Sequence, residues 1–162
     1  MTAIGHAVPE VLEAMMAQAS QLAYAPTHAF TTEAIETCAR LIIEEFAPPE
    51  FAKVWFVSGG SEATDNAIKM AIQYHRERGN GTKHLIIGRR QSFHGATIAA
   101  LAVGGNAGRR RPFASILPPA EHISACNPYR DAHPDARADE LERAIAQLGP
   151  ENVAVFIAEP IV

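Results

Sequence analysis

The sequence predicts an α/β fold: a three-layer α/β/α arrangement around a mainly parallel sheet, preceded by N-terminal helices. Three observations carry this. Short continuously apolar runs at 54–57, 85–88 and 153–158 read as strands covered on both faces, because a strand with one wet face would alternate apolar and polar residues. Amphipathic helical patterns separate those runs, which is the β, α, β, α order of a sheet joined by crossovers. The chain has 162 residues, 48% of them hydrophobic and 20% charged. It is therefore long enough for one core and too mixed for a fibre or a disordered tail.

Along the chain, Pro9 suits a first helical turn, and Val11, Leu12, Met15, Met16, Ala19 and Leu22 recur behind it at helical spacing, with the two methionines expected as core filling. A polar stretch at 24–32 follows. Ile35, Ala39, Ile42 and Phe46 then trace a second amphipathic helix, capped by Thr31 or Thr32 and stopped by Pro48 and Pro49. The run at 54–57 meets Ser58, Gly59 and Gly60 and then a helical pattern through Ala63, Ala67, Ile68, Ala71 and Ile72, so it reads as strand, glycine turn and helix. Gly79 to Gly81 ends that helix, 85–88 is the next strand, and 97–103 is a short helix or an extended apolar segment. Prolines 112, 118, 119, 128 and 134 make 104–134 a loop with at most one short strand near Ser115. Ala138, Leu141, Ile145 and Leu148 mark a helix closed by Gly149 and Pro150, and the strand at 153–158 follows. Residues 1–50 form a helical segment and 51–162 one compact unit.

Lys plus Arg is 14 against 18 Asp plus Glu, a net charge of -4, which argues against wholesale attraction to nucleic acid or an anionic membrane. Arg89, Arg90 and Arg109 to Arg111 lack interleaved aromatics and read as a solvated face. Cys38 and Cys126 stand far apart with no CxxC, and the seven histidines show no HExxH spacing, so neither a disulfide framework nor a metal centre is expected. No signal peptide or membrane-length apolar run is visible, and a cytoplasmic protein is expected.

The chemistry points to Ser58, Gly59, Gly60, Ser61 and Glu62. Glycines between a strand and a helix let backbone amides approach an anion at the positive helix end. Ser61 as an ordinary N-cap is the competing reading. The GxxxxGK[ST] and GxGxxG patterns of nucleotide sites are absent. Phe93, His94 and Gly95 follow the 85–88 strand at its carboxyl edge, where open α/β sheets place ligands, and Glu159 with Pro160 ends the last strand at the same edge.

Taken together, SGGSEATDNAIKMA at 58–71, SFHGAT at 92–97, GHAVPEVLEAM at 5–15 and AEPIV at 158–162 resemble the class III aminotransferases, pyridoxal-phosphate enzymes of fold type I. The resemblance covers nearly the whole chain in order. It implies that 51–162 is part of the large cofactor-binding domain, that Gly60 and Ser61 hold the cofactor phosphate, and that Phe93 stacks on the pyridine ring, where tyrosine is the commoner family choice. His94 belongs to the same element, and Glu159 matches the family's Glu near cofactor and substrate. The implied reaction moves an amino group between an amino compound and a 2-oxo acid, in a homodimer.

The family's Schiff-base lysine and the aspartate that anchors the pyridine nitrogen lie downstream of the Glu-Pro element. Lys53, Lys69 and Lys83 match neither, so an internal fragment, inactive alone, is expected. Two further readings remain. One is a phosphate-compound-binding piece or pseudo-enzyme without catalysis. The other is an acyl hydrolase using Ser61 and His94, which lacks the GxSxG elbow.

Overall fold

The computed structural model describes residues 3–130, 133 and 136–160. The chain divides into two compact units, Met1–Trp55 and Phe56–Val162. Pro134 and the final two residues of the AEPIV element lie outside the described residues.

In the first unit, helix α1 spans Pro9–Gln21 with its proline in the first turn, where the missing N–H costs nothing. Helix α2 spans Glu33–Leu41, and Thr32 caps it by accepting from the Ile35 amide at 3.2 Å. It runs on into one π-helical turn, Ile42–Phe46, ahead of Pro48. The expected core role of the methionines does not hold: Met15 is 63% and Met16 69% exposed, and α1 has no buried residue. Helical spacing fixes which side chains share a stripe, but burial needs a second element lying on it.

The second unit contains helix α3 (Gly60–Glu77), strand β1 (Leu85–Arg89), helices α4 (Ile98–Val103) and α5 (Ala107–Arg110), strand β2 (Ala120–Ile123), helix α6 (Ala136–Leu148) and strand β3 (Val153–Phe156). The sheet order is β2-β1-β3 and both pairings are parallel, with Ile87 opposite Glu121 and Phe156. Adjacent residues of β1 serve opposite faces, as strand geometry requires. Ile86 packs with Ile68 and Val103 beneath α3 and α4, whereas Ile87 packs with Ile123, Ala144 and Val153 beneath α6. Helices therefore cover both faces, and the three-layer parallel arrangement is observed.

Two expected strands are corrected. Residues 54–57 form none, because no described strand supplies a ladder partner, and Trp55 is 62% exposed. The strand expected near Ser115 lies instead at Ala120–Ile123, while Arg111–Phe113 is a 3-10 turn. Glu121 and His122 hid β2 by breaking its apolar run. His122 is nevertheless buried, because its Nε2–H donates to the Gly104 carbonyl (3.1 Å) and its Nδ1 accepts from Arg110 (3.3 Å). Residues 98–103 resolve as helix, and β3 stops at Phe156, two residues short of the predicted run.

Candidate functional site

Helix α3 starts at Gly60 with Gly59 as N-cap and no side chain capping it. The first helical bond runs from the Ala63 amide to the Gly59 carbonyl at 3.0 Å. Among the described residues nothing accepts from the amides of Gly60, Ser61 or Glu62, the donors that a helix start leaves over. Glu62 reaches back to accept from the Ser58 amide at 2.8 Å, which fixes the turn. A Cβ on Gly59 or Gly60 would meet no atom within 4 Å, and neither residue has positive φ. Neither backbone conformation nor internal packing therefore demands glycine here. The open volume before unpaired amides is what a bound anion would fill.

The segment carrying Phe93 and His94 is stitched to α3. Ser61 Oγ accepts from the Ala96 amide (3.0 Å), so its own proton stays available for a ligand oxygen. Thr64 donates to the His94 carbonyl (2.8 Å), and Asp65 accepts from the Ala100 amide (2.9 Å). Gly95 makes this approach possible. It sits at φ +138°, and a Cβ there would lie 2.6 Å from Ser61 Oγ. Sequence reading missed Thr64 and Asp65, whose partners lie some thirty positions away and leave no local spacing signal.

Phe93 is 53% exposed, and its amide donates to Glu159 Oε2 at 2.9 Å. The carboxyl end of β3 and the loop after β1 are thereby joined, as their common sheet edge suggested. The Arg109 guanidinium lies over the Phe93 ring, 5.0 Å from its centroid. His94 Nε2 is buried without a partner among the described residues, and burial lowers the His94 pKa although the Glu159 charge opposes that shift. The imidazole is thus neutral at pH 7. The structure brings Gly60, Ser61, Phe93, His94 and Glu159 to one edge of the sheet.

The lysines lie elsewhere. Lys83 Nζ donates to the Pro150 and Val153 carbonyls at the amino edge of the sheet, Lys69 is exposed further along α3, and Lys53 is exposed in the first unit. Ser61 has no hydrogen bond to His94, so the hydrolase reading finds no nucleophile–base pair among the described residues. No group of three acidic, His or Cys side chains is placed to hold a metal there. Among the described residues no helix is long and apolar enough to cross a membrane. Of the arginines expected on a solvated face, Arg89 lies over Phe156, Arg109 over Phe93, and Arg110 bonds His122.

Residues 1–162 match the family described as aminotransferase class-III. An uncharacterized aminotransferase of Bacillus subtilis, YodT, is 36% identical over 98% of this chain and 37% of its own length. An omega-aminotransferase of Caulobacter vibrioides is 34% identical over 97% of this chain and 37% of its own length. The omega transaminase of Pseudomonas jessenii, solved in complex with PMP, superposes with a TM-score of 0.91 at 32% identity, over 99% of this chain and 37% of that one. The chain thus spans about a third of the length of the curated relatives it matches. The family is pyridoxal-phosphate-dependent, and the fold is that of its solved transaminases over the matched third of their length. A match over the whole chain, with relatives this similar, shows that the chain belongs to the class-III aminotransferases.

Proposed function

We propose that this chain supplies the phosphate-holding and ring-stacking part of an enzyme that transfers an amino group between an amino compound and a 2-oxo acid. The observation that supports it best is the set of unpaired amides at the start of α3, opening onto volume that Gly59 and Gly60 leave clear. Gly60 and Ser61 would hold the phosphate of pyridoxal phosphate by backbone donation, with the Ser61 hydroxyl adding one donor. Phe93 presents the aromatic face. Glu159 fixes that face through the Phe93 amide, and His94 contributes an uncharged imidazole beside Glu159. When bound, the cofactor supplies an electron sink that weakens the Cα–H bond of the amino compound.

Residues 1–50 are proposed as the N-terminal helical segment and 51–162 as part of the cofactor-binding domain. A homodimer is proposed, supported by the uncovered stripe of Val11, Leu12 and Met15 on α1. A cytoplasmic setting is proposed on the two free, exposed cysteines. The positions of the lysines favour a second reading for the 162 residues on their own, namely phosphate-compound binding without catalysis. Pyridoxal phosphate and pyridoxal titrated side by side test the proposal. A strong preference for the phosphorylated form supports it, and equal affinities refute it.

A further inference from the structure

Helix α4 is capped from outside itself. Thr97 occupies its N-cap position without a side-chain cap bond, and its hydroxyl donates instead to the Ser61 carbonyl at 3.4 Å. The cap comes from Asp65 on α3, whose Oδ1 accepts from the Ala100 amide at 2.9 Å across 35 positions of sequence. Ala100 is the third residue of α4 and fully buried, and this is the position an N-cap oxygen normally serves. A carboxylate there also meets the positive end of the helix. The other links between α3 and this segment, from Ala96 to Ser61, from Thr97 to the Ser61 carbonyl and from Thr64 to His94, use neutral hydroxyls. The Asp65 link is the charged one, and it anchors the segment at its far end.

The phosphate grip and the ring grip stand on different elements, the amides of α3 and the Phe93 loop. A ligand that uses both needs them at a fixed spacing. We propose that Asp65 is a positioning residue for the cofactor site, holding the Phe93–His94 segment against α3 by capping α4 in trans. This rests on the proposed cofactor reading. It carries a signature of its own: Asp65 governs the ring grip and leaves the phosphate grip alone.

The test uses the full-length protein with pyridoxal phosphate and, separately, inorganic phosphate as probes. Asp65→Ala should weaken pyridoxal phosphate binding about fivefold, the usual worth of a cap, while inorganic phosphate competes as in wild type. Asp65→Asn keeps an acceptor at Oδ1 and should restore binding to within about twofold. In a Phe93→Ala background Asp65→Ala should cost nothing further, because its effect travels through that ring. If Asp65→Ala does not fold, Asp65→Gln, with its acceptor displaced by one methylene, is read the same way. Wild-type affinity in the Ala or Gln variant, an Asn variant as weak as Ala, additive losses with Phe93→Ala, or an equal loss of inorganic phosphate would each overturn the proposal. Wild-type protein that binds no pyridoxal phosphate would instead overturn the cofactor reading beneath it.

Discussion

Replacing Gly60 by valine separates binding from stability. The valine side chain has room, since a Cβ at Gly60 meets no atom within 4 Å and the residue lies in the first turn of a regular helix. Valine is favoured over glycine in helices by about 0.3–0.5 kcal/mol, so the melting temperature should hold or rise slightly. The branched side chain is expected to crowd an anion held by the amides of Gly60 and Ser61. Two hydrogen bonds from those amides to a charged phosphate are worth about 1.5–3 kcal/mol each. Their loss, about 3–6 kcal/mol, weakens the dissociation constant by roughly two to four orders of magnitude. Ser61→Ala removes one hydroxyl donor and keeps the amides, so it should cost about 1 kcal/mol, roughly fivefold. Titration with pyridoxal phosphate by calorimetry, alongside thermal unfolding of each variant, measures both effects. Valine binding within twofold of wild type would refute the cradle. So would a binding loss accompanied by a melting temperature lowered by several degrees, because misfolding would then explain it.

The remaining predictions concern the supports of the site. Gly95→Ala places a Cβ 2.6 Å from Ser61 Oγ at φ +138°, and should destabilise the fold by at least about 1–3 kcal/mol in denaturant unfolding; an unchanged midpoint would contradict the close approach. Phe93→Ala should weaken cofactor binding by about 0.5–1.5 kcal/mol beyond its lost area, whereas Phe93→Tyr should hold it, as read by cofactor titration. The His122 pKa is lowered by burial first and by the Arg110 charge second. The unfolded chain therefore takes up its proton near the ordinary value of 6.5 while the folded chain resists, so stability falls as pH drops from 6.5 toward the lower folded pKa. His122→Gln should flatten that slope in denaturant midpoints measured across this range, with His94 supplying what remains.

The α/β class was legible because strand burial is written directly into apolar runs at 85–88 and 153–156, and the glycine turn before α3 stands out by residue type. Residues 54–57 carried the same signal without the outcome, since apolar content does not create a neighbouring strand. The reverse happened at β2: His122 is polar by name yet buried, because two specific partners satisfy both ring nitrogens. The site residues Gly60, Ser61, Phe93, His94 and Glu159 were visible as motif positions at one sheet edge. The bonds that assemble them were not. Glu159 reaches the Phe93 amide across 66 positions and Asp65 reaches Ala100 across 35, and such pairings depend on the register of the folded sheet rather than on local spacing.

A crystal structure of the protein soaked with pyridoxal phosphate tests the central claim most directly. The account predicts the phosphate within about 2.7–3.2 Å of the Gly60 and Ser61 amides, the Ser61 hydroxyl donating to it, and the pyridine ring stacked on Phe93. A phosphate bound away from the start of α3, with the amides of Gly60 and Ser61 still facing solvent, would contradict it.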